Sequence, residues 1–510
     1  MKNKYKIIIG IIATIIIITV AVLYIITNKN VTKFSNVKIL DCYENEIENY
    51  AENKMPFTIE KQNENQKIIV NGKEYKDGER FYKTGKYKVE VCENFKKEET
   101  YIEIKDIEKN EKTEYNIYIN TSTLPTFMAM LNIAQNDDVN GFFWTRKNTS
   151  IDIDGIKERN HNLKLSEYLG NNSETDFKLK IVPEIKEYIK DVLQSDSNAF
   201  FNLYVDDYRF YLDLELFGKI GIGDNRYNYY YYSDGTSSYV KYYTSKGGSI
   251  HREFKMREEN GYEDFLKEKE EYNQIVEKIR TNQLEYNEIP GSYFADESGI
   301  GYVYDYMLIA LLRDNVNYLL QYPQKIDFKD EKVAKEMENA NFVKMDLKKQ
   351  FSELSEEQQK TFLSNIFLDK AEFDSKYFEN QDGKYLIITG TNPFYGDLNK
   401  EKFEELIKKV KEDYGEEYTI LYKPHPSALP NEEQQEFLEN LNIKILPGKM
   451  PMEAIMFVYP NIKIGGYASS LYMSAEEGQT LFFFAEKPED LVEPLNTLYS
   501  EMFSNAKLYN

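Results

Sequence analysis

Three observations predict an α/β chain of two doubly wound blocks behind a small all-β unit. A strand-rich stretch with period-two alternation occupies about 31–110. From position 115 onward, strands and amphipathic helices alternate, the pattern of parallel sheets with crossover helices. A polar break near 379–383 divides that pattern, and a second alternating block follows it. At 510 residues the chain also exceeds what one core can serve.

Composition narrows the function classes. Asp plus Glu number 86 against 64 Lys plus Arg, a formal charge of -22, and no basic run is present. Nucleic-acid binding through phosphate contacts would need a basic face. Three His and two Cys leave little for a His/Cys zinc site or a disulfide-dense scaffold. Tyrosine is abundant (43), against one tryptophan. Its flat ring and hydroxyl suit sugars, and it is equally at home in β-structure.

The elements follow in chain order. Residues 1–6 carry Lys2, Lys4 and Lys6 and read as a cytoplasmic tail. Residues 7–27 are uncharged and Ile-rich, long enough at about 1.5 Å rise per residue to span a bilayer. A single-pass anchor in a bacterial membrane is expected, with the bulk of the chain outside. A cleaved signal peptide is the rival. Residues 31–110 are expected to form an immunoglobulin-like sandwich. Tyr87, Val89 and Val91 alternate inward there, and Asn71-Gly72 and Asp77-Gly78 are turn dipeptides. Cys42 and Cys92 fall in this unit, and parity points Cys92 away from the core, so a surface bridge and two free thiols both fit.

An N-terminal Rossmann-like block is expected over 114–380. Its first strand surrounds Ile117, and Thr123 and Pro125 start a helix carrying Leu124, Phe127, Met128 and Leu131 on one face. Residues 200–205 read as a strand and 302–320 as a buried helix. The second block covers 384–485, with strands at 385–388, 418–422, 443–446 and 462–464 and helices from Lys400, Asn431 and Ser469. A tail, 486–510, is expected to pack back on the N-terminal lobe.

Four motifs carry chemistry. Lys423-Pro424-His425-Pro426 follows an apolar strand, where ligands bind in open α/β sheets. Pro426 keeps His425 extended, and its imidazole can give a hydrogen bond or a proton to a leaving phosphate. Gly465-Gly466 followed by Ser469-Ser470 reads as a turn into a helix start, an anion seat with two added hydroxyls. Asp234, in Ser233-Asp234-Gly235, ends an aromatic strand; the motif alone is more often a plain turn. Glu453 opens a helix where a carboxylate can hold ribose hydroxyls. His161 and His251 lie in polar, loop-like contexts.

In this order, these motifs resemble the bacterial sialyltransferases of glycosyltransferase family 80, over about 114–484. Thr389-Gly390-Thr391, Leu124-Pro125 and Leu354-Ser355-Glu356-Glu357-Gln358-Gln359 also look like family segments. The resemblance implies a GT-B fold and inverting transfer of sialic acid from CMP-sialic acid to a galactoside, with no required metal. By position it implies Asp234 as general base and His425 on the CMP phosphate. Lys423 and Pro424 would lie beside cytosine, Glu453 on ribose, and Ser469 and Ser470 on phosphate. Ser122, Thr123, Gly390 and Thr391 would lie near the donor. Departures fall at Phe394 (a Trp in some members), Asp207 (a His) and Pro451 (a Ser). Phe394 and Asp207 are acceptor-side positions, so acceptor and linkage stay open.

Three alternatives remain at this stage. One is a GT-B transferase with another donor such as CMP-Kdo. Another is a metal-dependent transferase using Asp152-Ile153-Asp154, a pattern more simply read as a half-exposed strand. The third is a non-catalytic, membrane-anchored glycan-binding protein. An outward topology also conflicts with the cytosolic origin of CMP-activated sugars.

Overall fold

A computed structural model describes residues 14–19, 28–94, 96–136, 139–147, 150–170, 172–206, 209, 211–233, 235–236, 238–239, 261–284, 307–326, 328, 330–379, 383–391, 400–426 and 428–510. Most of 7–27 lies outside them; residues 14–19 are helical. Among the described residues no helix is long and apolar enough to cross a membrane.

Alternating strands build the front unit. Its strands are β1 (Asn28–Asn30), β2 (Val37–Asp41), β3 (Phe57–Lys61), β4 (Lys67–Val70), β5 (Lys73–Glu74), β6 (Gly85–Glu93) and β7 (Lys96–Ile104). They form a five-stranded sheet in the order β1-β7-β6-β4-β5 and a two-stranded β2-β3 ribbon. Val89 and Val91 point inward with Ile39, Ile59, Ile68 and Ile102. Cys42 and Cys92 are both free, and burial pushes the Cys42 thiol up to about 12. The unit is hydrogen-bonded to the next domain: Arg80 donates to the Lys219 carbonyl at 2.5 Å, and Arg226 donates to that of Lys54 at 2.8 Å.

Two parallel sheets follow. The first contains β8 (Thr113–Asn120), β9 (Gly141–Thr145), β10 (Leu163–Leu165), β11 (Ala199–Asp206), β12 (Tyr227–Tyr232), β13 (Val316–Leu320) and β14 (Asn341–Lys344), ordered β10-β9-β8-β11-β12-β13-β14. The second contains β15 (Tyr385–Thr389), β16 (Thr419–Lys423), β17 (Lys444–Ile445), β18 (Lys463–Gly466), β19 (Thr480–Phe484) and β20 (Lys507–Tyr509), ordered β17-β16-β15-β18-β19-β20. Central strands such as β9 and β15 are covered on both faces and buried along their whole length.

The order reverses between β8 and β11 in the first sheet and between β15 and β18 in the second. At such reversals adjacent crossovers leave on opposite faces and open a crevice at the carboxyl ends of the strands.

Several expectations are corrected. Residues 316–320 form a central strand, paired in register with β12 and β14, rather than the end of a helix. Their alternation Val316, Tyr318, Leu320 is buried with period two. The tail ends as β20 on the edge of the second sheet, where Lys507 and Tyr509 bind Asp413. Its last strand therefore does not return to the N-terminal lobe, because an open sheet edge offers it backbone partners. Asp152 caps the helix Ile153–Arg159 by accepting from Gly155 N at 3.0 Å, and is not part of a strand. The tyrosines of β12 are core: Tyr227, Tyr229, Tyr231 and Tyr232 are buried, and Tyr204 stacks on Tyr230 at 4.6 Å. They are not a sugar platform.

Candidate active site

Both strand-order reversals empty into one cavity of about 400 Å³. That volume is in the range of small-molecule sites. The N-terminal lobe contributes Ser122, Thr123, Leu124, Phe127 and Lys147; the C-terminal lobe contributes Gly390, Lys423, Pro424, His425, Glu453, Ser469 and Ser470, among others. Nine of the expected site residues thus converge. Thr391 follows Gly390 but does not line the cavity. Asp234, Asp207 and Phe394 lie outside the described residues.

On the C-terminal wall, β16 delivers Lys423 and then His425. Lys423 is 4 % exposed, and its ammonium donates to the carbonyls of Pro424 (2.9 Å) and Gly448 (2.8 Å). Burial lowers its pKa to about 8, and the Glu453 charge opposes that shift. The ammonium braces the backbone beside His425. Burial lowers the pKa of half-buried His425 as well, and the Lys423 and Lys147 cations add to the effect. In the free protein the imidazole is therefore mostly neutral at pH 7, a hydrogen-bond donor through one nitrogen. Glu453, in the first turn of the helix Met452–Val458, has its carboxyl pKa raised by burial. Pro451 precedes it with no side-chain cap.

The serine pair sits on a different element than expected. Gly465 and Gly466 are the last residues of β18, not a turn, and the helix after them is a five-residue 3₁₀ segment, Ser470–Ser474. The local donors and hydroxyls remain, while a long-helix dipole does not. Gly466 has φ +136, and a Cβ there would meet the Thr389 carbonyl at 2.4 Å, so only glycine lets β18 lie this close to β15. Ser469 Oγ accepts from Leu471 N at 3.4 Å. The buried Tyr472 hydroxyl bonds Thr389 Oγ1 at 2.7 Å and ties the segment to the neighbouring strand.

The opposite wall approaches closely. Gly235 (φ +73) packs against this seat: a Cβ built on it would stand 2.4 Å from Ser470 Cβ. Ser233, fully buried, braces the same turn, its hydroxyl accepting from Gly235 N at 3.1 Å and donating to Ser238 at 3.0 Å. Gly235 therefore meets Ser470 directly.

Lys147 was not among the sequence candidates. It lies two residues past β9, and strand-end logic applied to every strand of the first sheet would have marked it. Among the described residues no group of three or more His, Cys, Asp or Glu is gathered as a metal site.

Fold and cavity together define a class: two parallel α/β lobes with a shared ligand crevice. No protein-family model matches the chain, and no curated protein matches it. Solved structures do. The α/β-galactoside α-2,3-sialyltransferase of Photobacterium phosphoreum matches at TM-score 0.55 and 14% identity, over 78% of this chain and 98% of its own. A sialyltransferase of Photobacterium damsela matches at 0.55 and 14%, over 95% and 99%. The 2,6-sialyltransferase of Photobacterium sp. JT-ISH-224, in complex with CMP and lactose, matches at 0.53 and 14%, over 94% and 96%. The chain thus has a GT-B-like fold with parallel sheets.

Proposed function

We propose that this chain is an inverting sialyltransferase that moves sialic acid from CMP-sialic acid to a galactoside-type acceptor. The observation that carries the reading is the inter-lobe cavity, which gathers Ser122, Thr123, His425, Glu453, Ser469 and Ser470 with Gly235 against Ser470. Asp234 takes the proton of an acceptor hydroxyl. That oxygen attacks the anomeric carbon, the bond to the phosphate oxygen breaks, and CMP leaves with the electron pair. Direct displacement from the opposite side inverts the anomeric centre. Charge grows on the phosphate, where donors fixed in advance act most strongly. His425, Ser469 and Ser470 supply them, and Glu453 holds the ribose. Lys423 keeps the His425 segment in place, with Pro424 beside the cytosine, and Gly390 flanks the donor, with Thr391 next to it in the chain but off the cavity wall. Asp207 and Phe394 belong to the acceptor side. No metal takes part in this reading. The front unit is immunoglobulin-like, and 7–27 is a membrane anchor.

The test is CMP release by the full-length chain from CMP-sialic acid and from CMP-Kdo, each with lactose, followed by linkage analysis of the product. Release from CMP-sialic acid coupled to a sialylated galactoside is expected. Release from CMP-Kdo alone would replace the donor assignment. No release from either, with CMP still bound, would favour the glycan-binding alternative. The solved neighbours include both 2,3- and 2,6-transferases, so the linkage is an outcome of this experiment.

A further inference from the structure

A second cavity, of about 180 Å³, lies between the lobes at the ends of β13 and β14. The N-terminal lobe lines it with Gln321, Asp346 and Lys348, and the C-terminal lobe with Phe457, Ser474 and Glu476, among others. Gln321 is 4 % exposed, yet neither its amide nitrogen nor its amide oxygen has a hydrogen-bond partner among the described residues. Buried polar atoms are rarely left so, because each forfeits its bonds to water.

This cavity adjoins the one that His425 lines. Strand β13 pairs with β12, Tyr232 opposite Leu319, and Ser233 N donates to the Leu319 carbonyl at 3.1 Å. Gln321, two residues further on, therefore leaves the sheet one strand away from Ser233 and Gly235. The 3₁₀ segment Ser470–Ser474 has its first residue on the His425 cavity and its last on this one, about 8 Å along at a rise of about 2.0 Å per residue. The helix Met452–Val458 likewise has Glu453 on the first cavity and Phe457 on the second.

The lining selects a class of ligand. Lys344 and Lys348 are balanced by Asp346 and Glu476, and Lys348 pairs with Glu476 from lobe to lobe, so the cavity offers no net charge to an ion. An anion would use only the N–H groups of the Gln321 amide, and a cation only its carbonyl. Neighbouring sugar hydroxyls, which both donate and accept, use both ends. Ser474 adds a hydroxyl on the opposite wall. The volume is that of about six waters, room for one sugar ring and too little for a nucleotide. We infer that the Gln321 cavity is a subsite for a neutral sugar unit of the acceptor glycan, beyond the unit that receives the sialyl group. The inference rests on the proposed transferase reading and deepens it.

The experiment compares lactose with a neutral tetrasaccharide ending in galactose, as acceptors for the full-length chain with CMP-sialic acid. The unaltered chain should show the lower KM for the tetrasaccharide. Gln321→Met, close in size and without the amide, should raise that KM by about fivefold to a hundredfold, the loss of about two hydrogen bonds, and leave kcat and the lactose KM within about twofold. Equal KM values for the two acceptors in the unaltered chain, or an equal effect of the substitution on both, would overturn the subsite. Without glycan, the melting temperature of Gln321→Met should match or exceed that of the unaltered chain, because an unpartnered amide is removed. A fall would mean that the amide is bonded within the protein, and would overturn the subsite too. If neither acceptor were sialylated, the transferase reading would fall, and ligand-observed NMR would decide the sugar site separately: tetrasaccharide binding lost in Gln321→Met upholds it, and binding unchanged or absent overturns it.

Discussion

Replacing Gly235 by alanine tests the contact on which the site depends. Two costs are expected. At φ +73 an L-residue pays about 1–2 kcal/mol for the left-handed backbone. The new Cβ would also stand 2.4 Å from Ser470 Cβ, far inside van der Waals contact, and such overpacking costs about 1–3 kcal/mol. The two can be separated. Gly478 has nearly the same backbone (φ +72) with nothing within 4 Å, so Gly478→Ala carries only the first cost. Ser470→Gly removes the obstructing Cβ, leaving Ser470 Cα as the nearest backbone atom at 3.7 Å. Urea unfolding serves as the assay, followed by circular dichroism and by the fluorescence of Trp144, the sole tryptophan, buried in the first sheet. Gly235→Ala should lose about 2–5 kcal/mol, Gly478→Ala about 1–2, and the Gly235→Ala/Ser470→Gly pair should recover about 1–3 kcal/mol of coupling. Coupling below about 0.5 kcal/mol would mean that the two lobes do not meet at this turn.

Other outcomes follow from the same geometry. Asp234→Asn should lower transfer by about 10²–10⁴-fold with CMP affinity unchanged, measured by product formation and calorimetry; near-normal transfer would remove Asp234 as the base. His425 should take up a proton when CMP binds near pH 6. Its pKa lies below 6.5 in the free protein, and a bound phosphate raises it, so the calorimetric heat should vary with buffer ionisation enthalpy, and His425→Asn should abolish that variation. Lys423 gives a signed pH dependence. Folded, it releases its proton near pH 8, while the unfolded chain holds it to about 10.4, so the unfolded state binds more protons in between and stability gains a rising contribution over that window. Lys423→Met should lose this contribution, read as a melting-temperature difference from the unaltered chain that widens with pH. A pH-independent difference would place the ammonium in water.

Much of the site was legible because the chemistry sits at strand ends, and strand ends show in a sequence as apolar runs that stop at Gly, Pro or Ser. Tyr385–Thr389 before Gly390 and Thr419–Lys423 before Pro424 are such runs. Parallel strands buried on both faces need unbroken apolar stretches, so local composition sufficed to place them. What sequence reasoning misplaced depended on partners distant in the chain. Val316–Leu320 is a strand because β12 and β14 flank it, and residues 507–509 join the second sheet because β19 leaves an open edge. The abundance of tyrosine left its use open, and in β12 burial together with the stacking of Tyr204 assigns it to the core. Lys147 joins the site only because β9 ends on the cavity wall that Ser122 and Thr123 also line. Strand composition is a local property, written residue by residue. Register, sheet order and the approach of Gly235 to Ser470 are set by packing between segments well separated in the chain, and that could be decided only in three dimensions.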